Sequence, residues 1–288
     1  PRPTAAGGRH SLDSAVTHPK HILERAGIEP KKSLGQNFLF DEGLLTRIVA
    51  AAELSPDDEV LEVGPGLGAL TRPLARAARR VVTVELDGRL LPVLASALAG
   101  LGNVELVHGD VLQLDPAGWF AAPYVVVANV PYYITGAILR HLLGSWPRPR
   151  RLVLTVQREV AGRLTARPPE MSLLAVSVQY YGRVRLVSGV RAGAFWPRPE
   201  VDSAVVRIDV DERHLAARPA EADAAEAAFF RVVRAGFSEK RKQLKNNLRQ
   251  LGHDDTAIGA ALARADIDGR RRAETLTVAE WASLSELL

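Results

Sequence analysis

Short β-rich runs and helix-like stretches take turns along this chain, and that alternation restricts the possible folds more than any other feature. EVLEV at residues 59–63, VVTVE at 81–85 and VELVH at 104–108 are β-rich, with helical patterns at 70–78 and 89–98 between them. YVVVA at 124–128, RLVLTVQ at 151–157 and a further run at 176–181 continue the series of strands. Parallel neighbours need a crossover connection and antiparallel ones do not. Strands spaced by helices therefore predict an α/β fold, a mainly parallel, doubly wound sheet with helices on both faces. The pattern changes after Val210. Residues 211–288 hold helix-like stretches, clearest at 224–235, 238–251 and 278–287, and no convincing strand, which predicts a small all-helical C-terminal domain. Residues 1–28 lack periodicity and read as a flexible tail that turns helical near 21–26, leaving 29–210 for the α/β domain.

A 288-residue chain that is 47% hydrophobic can bury one sizeable core and a smaller second one. No apolar run approaches the roughly 18 residues that span a bilayer, and the first 20 residues contain nothing like a signal peptide. The expectation is a cytoplasmic protein with no membrane partner. The absence of cysteine excludes disulfides, thiolate nucleophiles, iron–sulfur clusters and Cys-ligated zinc. It also excludes the cysteine route to methylating a pyrimidine ring carbon. Lys and Arg outnumber Asp and Glu by 37 to 33, and the Arg excess suggests a polyanionic partner. An Ala- and Arg-rich composition also arises from genomic base bias, so the positions of the charges must decide.

The first strong run leads directly into Gly64-Pro65-Gly66-Leu67-Gly68. Glycines at a strand-to-helix turn let backbone approach a ligand beyond the carboxyl end of the sheet. Gly64, Gly66 and Ala69 also satisfy the dinucleotide fingerprint, so the glycines alone leave a nicotinamide dinucleotide and S-adenosylmethionine (SAM) both open. Glu85 ends the next strand about 20 positions later, where a carboxylate accepts hydrogen bonds from ribose hydroxyls. Asp110, just past the third strand, is placed to accept from an adenine amine. Each acid alone is ordinarily a solvated strand end. On successive strands of one sheet, the two favour a nucleoside ligand.

Asn129-Val130-Pro131-Tyr132, at the end of the fourth strand, carries the most chemistry. An exocyclic aromatic amine such as adenine N6 is a poor nucleophile because its lone pair is delocalised into the ring. If the Asn129 side-chain oxygen and the carbonyl of Val130 or Pro131 accept both N–H bonds, the nitrogen pyramidalises and aims its lone pair at an electrophilic methyl group. Tyr132 can stack on the base. No general base is needed beforehand, because the aminium product is acidic and loses its proton to water. Positioning and electrostatics would supply most of the rate.

With these residues in view, the chain resembles the ribosomal RNA adenine N6-dimethyltransferases, the KsgA family, which are related to the erythromycin-resistance methyltransferases. The resemblance runs from about Lys31 to Leu251. Residues 31–39 (KKSLGQNFL) resemble the family's Gly-Gln-Asn-Phe-Leu opening, which implies that Asn37 and Leu39 contact the methionine end of SAM. Gly64, Gly66, Glu85, Asp110 and Asn129 fall on its other SAM-contacting positions. Residues 195–203 (FWPRPEVDS) resemble its Phe-x-Pro-x-Pro-x-Val-Asp-Ser segment, which implies that Phe195 closes the second face of the target base opposite Tyr132. Read without the family, Phe195 is a core aromatic. Residues 237–248 (FSEKRKQLKNNL) resemble the basic helix that opens the family's C-terminal domain, with Lys240, Arg241, Lys242, Lys245 and Arg249 as the RNA-facing cations. Residues 167–172 (RPPEMS) are shorter than the family's segment and lack its Tyr-Gly pair.

The resemblance implies a Rossmann-like SAM-dependent methyltransferase that needs no metal. Asn129, Pro131, Tyr132 and Phe195 would be its catalytic residues, and a monomer is expected. Its substrate would be two adjacent adenosines in the 3′-terminal hairpin of small-subunit ribosomal RNA, within an immature subunit, with a role in ribosome assembly. The alternatives are a large-subunit methyltransferase that confers macrolide resistance, and a non-catalytic RNA-binding assembly factor or mitochondrial transcription-factor relative.

Overall fold

The structure, a computed structural model, describes residues 18–216 and 219–288. Helix α1 (Pro19–Ala26) precedes strand β1 (Phe38–Leu39) and helix α2 (Glu42–Ala52). The alternating series follows as β2 (Glu59–Val63), α3 (Thr71–Ala77), β3 (Arg80–Glu85), α4 (Leu91–Ala97), β4 (Val104–His108) and β5 (Val125–Asn129). It continues with α5 (Thr135–Gly144), β6 (Arg151–Gln157), α6 (Arg158–Leu164), α7 (Leu173–Gln179), β7 (Gly182–Val190), β8 (Phe195–Trp196) and β9 (Ser203–Val210). Helices α8 (Glu212–Ala216), α9 (Pro219–Gly236), α10 (Leu244–Leu248), α11 (Asp255–Arg264) and α12 (Val278–Ser285) complete the chain.

The seven-stranded sheet has the order β4-β3-β2-β5-β6-β9-β7. Strands β4, β3, β2, β5 and β6 are parallel, and β9 runs antiparallel to both β6 and β7. Strand residues alternate between two apolar layers, as a sheet covered on both faces requires. Leu61, Val63, Val126 and Ala128 pack with Ile138, Leu139 and Leu142 of α5, while Val60, Val125 and Val127 pack with α2 and α3. The chain winds outward from β2 to β4, then returns to place β5 on the other side of β2. The crevice at that switch point, beyond the carboxyl ends of the strands, is where such sheets bind ligands.

Three expectations need correction. Residues 176–181 do not form a strand. Ser172 caps a helix by accepting from the Ala175 amide at 3.1 Å, and Ala175, Val176 and Val178 are buried between layers. Burial on two sides overrides the β preference of the valines. Residues 238–251 are not one helix either. The Asn247 amide donates to the carbonyls of Gly236 (2.6 Å) and Glu239 (3.1 Å), which stabilises a turn over 238–243, and α10 begins only at Leu244. Finally, the tail expected over 1–28 is packed structure where it is described. Helix α1 ends in a left-handed Gly27, and Leu23, 1% exposed, joins Phe38, Leu67, Leu90, Leu94 and Leu98. The rest of that tail, residues 1–17, lies outside the described residues.

The helices after Val210 form a third apolar cluster around Phe229, Val232, Leu244, Ile258 and Trp281, which also takes in Met171, Ala175 and Val176. Residues 167–170 make a tight turn, with the Glu170 amide donating to the Arg167 carbonyl at 2.8 Å, and the Met171 amide donates to the Glu274 carbonyl at 3.0 Å. Buried Arg148 forms an ion pair with Glu226 of α9 and donates to the carbonyls of Leu143 (2.8 Å) and His214 (3.2 Å). Because Leu23 docks α1 beside the glycine turn, Leu23→Ala should lower stability by about 2–5 kcal/mol, the range for emptying a buried leucine site. Urea unfolding followed by circular dichroism measures this, and an unchanged midpoint would show that α1 contributes nothing to the fold.

Candidate active site

A cleft lies over the switch point, lined by the turns after β2, β3, β4 and β5 and by residues 34–39. The glycine turn forms its floor. Gly64 and Gly66 have φ of +69° and +60°, and a Cβ on Gly66 would sit 2.9 Å from the Phe38 ring. Both the backbone angle and the space therefore require glycine there. The Gly64 amide donates to the Val84 carbonyl at 3.0 Å, which ties the turn to the neighbouring strand.

Two buried carboxylates face this floor. Glu85 accepts from the amides of Gly66 (3.2 Å) and Asp87 (2.8 Å), and burial raises its pKa against those hydrogen bonds. Its carboxylate also lines the cleft, where it can accept a further hydrogen bond from a ligand. Glu62, 1% exposed, accepts from the Thr83 hydroxyl at 3.0 Å. Burial is the main cause of its pKa being raised to about 7, and the nearby Glu85 carboxylate adds to the rise. Asp110 caps the turn after β4 by accepting from the Leu112 amide at 3.0 Å, and it too lines the cleft.

Residues 31–39 form the facing wall. The Gln36 amide group donates to Asp87 at 2.8 Å, while its oxygen accepts from the Lys31 amide at 2.7 Å. Asp87 also binds Arg89, whose guanidinium holds its carboxyl well below the usual range. Leu39 pairs with Phe195 in the two-stranded β1-β8 sheet. The Asn129 Nδ2 group donates to the Asn37 carbonyl at 2.9 Å, so its Oδ1 is left as an acceptor. The Tyr132 hydroxyl is within 2.5 Å of Ser203 Oγ, and the Pro131 carbonyl accepts from the Ile134 amide at 3.2 Å.

Asn37, Leu39, Gly64, Gly66, Glu85, Asp110, Asn129, Pro131 and Tyr132 thus line one cleft. Phe195 does not. It is 3% exposed and packs with Leu39, Leu45 and Val190 in the core behind the cleft wall. Its sheet partner Leu39 takes the wall position and leaves the phenylalanine behind it. Sequence reasoning passed over Glu62, Gln36 and Tyr133. An acid two residues before Gly64 in an otherwise apolar strand was the available signal for Glu62. The second aromatic of the Tyr132-Tyr133 pair was the signal for Tyr133. No comparable local mark distinguishes Gln36.

The C-terminal cations lie away from the cleft and divide into two groups. Lys242 pairs with Glu239 at 2.8 Å, and Lys245 and Arg249 both approach Asp255, at 3.9 and 2.7 Å. Lys240 and Arg241 are exposed on the turn before α10, with no carboxylate partner among the described residues. The expected helical cationic face is therefore a turn with two free charges.

A doubly wound sheet with a glycine turn, cleft-lining acids at the ends of adjacent strands and an Asn-x-Pro-Tyr end to β5 defines a Rossmann-like methyltransferase. A ribosomal RNA adenine dimethylase family profile matches residues 28–288, and the chain belongs to that family. It is 44% identical over 277 residues to the ribosomal RNA small subunit methyltransferase A of Dehalococcoides mccartyi, covering 95% of this chain and 94% of that one. It is 45% identical over 281 residues to the protein of that name from Geobacillus kaustophilus, covering 93% and 94%. The crystal structure of the 23S rRNA methyltransferase ErmE is similar at a TM-score of 0.70 and 32% identity, over 88% of this chain and 99% of that one. A dimethyladenosine transferase from Plasmodium falciparum has a TM-score of 0.74 at 25% identity, over 86% and 95%.

The raised pKa of Glu62 has a consequence for stability. The folded protein holds this proton more tightly than the unfolded chain, so the contribution is complete below about pH 4.5 and is lost as pH rises through about 7. The ligand-free protein should therefore lose about 3 kcal/mol across that window. Thermal unfolding midpoints measured between these pH values should fall, and Glu62→Gln should flatten the slope. An identical slope in the variant would assign the effect elsewhere.

Proposed function

We propose that this enzyme transfers methyl groups from SAM to N6 of two adjacent adenosines in the 3′-terminal hairpin of small-subunit ribosomal RNA. The observation that carries the reading is the orientation of Asn129. With Nδ2 donating to the Asn37 carbonyl, the Oδ1 of this cleft-lining residue remains an acceptor, the role methylation of an aromatic amine requires.

The cleft suits SAM on its own chemistry. Glu62 and Glu85 favour a ligand bearing positive charge, the Glu85 carboxylate suits a ribose diol, and Leu86 and Val111 supply apolar walls for a purine. When bound, SAM supplies an electrophilic methyl group on a sulfonium. The chain's own residues then act on the base. Asn129 Oδ1 and the carbonyl of Val130 or Pro131 accept the two N6 protons, and Tyr132, tethered through its hydroxyl, presents its ring to the base. These contacts strengthen as N6 becomes tetrahedral, so they lower the barrier rather than merely bind substrate. As the N–CH3 bond forms, the S–CH3 bond breaks, and the aminium proton leaves to water.

Phosphate contacts fall to cations without carboxylate partners. Lys240 and Arg241 are two. Lys31, Lys32, Arg158, Arg191 and Arg198 are exposed at the edge of the sheet that holds the cleft and likewise have no carboxylate partner among the described residues. Among the described residues no helix is long and apolar enough to cross a membrane. We place the enzyme in the cytoplasm as a monomer acting on an immature small subunit, with Val210 as the boundary between its α/β and helical parts. Mapping the methylated adenosines distinguishes this reading from a large-subunit activity like that named for ErmE.

Asn129→Ala should slow single-turnover methylation at saturating RNA and SAM by about a hundredfold or more, the usual effect of losing one preorganised polar group. SAM affinity measured in the same variant separates chemistry from binding, and near-normal turnover would sink the mechanism. Replacing Lys240 and Arg241 by Ala should flatten the dependence of log Kd for RNA on log salt by about 0.7 to 0.9 per lost contact. An unaltered slope would show that this turn is only solvated.

A further inference from the structure

We infer that Tyr133 is the platform on which the nucleotide next to the target adenosine stacks. This rests on the RNA adenine methyltransferase reading and extends it from the target base to its neighbour. Tyr132 and Tyr133 are consecutive in the short 3-10 turn Tyr132–Ile134, and both line the cleft. Their environments differ sharply. Tyr132 is half-buried and tethered to Ser203, whereas Tyr133 is 61% exposed, the most exposed large apolar side chain among the described residues.

The Tyr133 ring is supported from within. Its Cε1 and Cδ1 atoms lie 3.4 and 3.5 Å from where a Cβ on Gly35 would stand, and Pro131 Cβ lies 3.3 Å from that point. Gly35, at φ +62°, thus lets residues 31–39 pass close beneath the ring and hold it at the mouth of the cleft. A single exposed aromatic is ordinarily unremarked surface. Its position at the entrance to a base-binding cleft sets this one apart, as does its exposure: of the aromatic rings that line the cleft, Phe38 is buried and Tyr132 half-buried, which leaves Tyr133 as the ring open to solvent.

Extruding a base from a helix or hairpin exposes the face of the base it was stacked on, at a cost of a few kcal/mol. An aromatic ring at the cleft mouth covers such a face whatever the neighbouring base, because every base has a π-face. For a substrate with two adjacent adenosines, one ring then serves both registers: while either adenosine occupies the cleft, the other is the neighbour.

The test compares wild type with Tyr133→Ala, Tyr133→Phe and Tyr133→Trp on small subunits lacking the modification. Tyr133→Ala should raise KM for the particle about tenfold or more, with a smaller fall in kcat, while SAM affinity by calorimetry stays at the wild-type value. Tyr133→Phe and Tyr133→Trp should remain close to wild type, because the ring face and not the hydroxyl is used. An unchanged KM in Tyr133→Ala overturns the inference. So does equal impairment in Tyr133→Phe, or a parallel loss of SAM affinity, which would make the ring a cover for the cofactor. A wild-type protein that transfers no methyl group to these particles overturns the functional reading instead. Binding of a hairpin RNA with 2-aminopurine beside the target adenosine still reads the platform, through the fluorescence quenching that wild type should produce and Tyr133→Ala should lose.

Discussion

One hydrogen bond gives the cleft its chemical sense. An asparagine side chain is donor at one end and acceptor at the other, and only the network around it determines which end faces a substrate. Here the Asn37 carbonyl takes the Nδ2 donor, so the orientation of Asn129 depends on where residues 31–39 lie. Those residues are held by Gln36 on Asp87, by Leu39 on Phe195 and by Phe38 in the cluster anchored by Leu23. Elements that never touch the base thereby set the direction of a lone pair. The buried Phe195 fits this view: it pairs with Leu39 and so fixes the strand two residues from the Asn37 carbonyl.

Electrostatics favour a cation in this cleft. Burying Glu62 and Glu85 side by side without a cation works against ionisation of both, as their raised pKa values express. A positively charged ligand removes that conflict, so ligand affinity and the ionisation of these acids are linked: each favours the other.

Most of the cleft is legible in the sequence because its residues are covalent neighbours of strand ends. Gly64, Glu85, Asp110 and Asn129 each sit at or just beyond the carboxyl end of a parallel strand, so recognising the strands places them along one edge without further knowledge. The misreadings share a different cause. Residues 176–181 are β-rich but caught between the sheet-side core and the C-terminal helices, and residues 238–243 look helical but Asn247 donates to the carbonyls of Gly236 and Glu239 and holds a turn. Both outcomes depend on partners distant in the chain or on long-range burial, which no local pattern encodes. Phe195 and Tyr133 show the same limit for side chains: two aromatics in plausible motifs, one turned into the core and one left at the surface by packing alone.

Charge pairing extends the argument from the cleft to its substrate. Many of the basic residues are neutralised within the fold, as Lys242 is by Glu239 and Arg249 by Asp255, so a count of positive residues overstates what RNA meets. Cations without a carboxylate partner among the described residues stand, among other places, at the edge of the sheet that holds the cleft and on the turn before α10, and the distance between those two groups is set by how the helical part docks. Arg148 helps to fix that distance. Its guanidinium is 1% exposed, pairs with Glu226 of α9 and stacks 5.2 Å from the Tyr181 ring, while the Tyr181 hydroxyl donates to the same Glu226 carboxylate. A buried pair of this kind adds little net stability over an apolar substitute, but separating its partners strands a charge and costs several kcal/mol. Sliding α9 across the sheet would do just that, so the pair acts less as glue than as a registration mark, holding the helical cations at one span from the cleft.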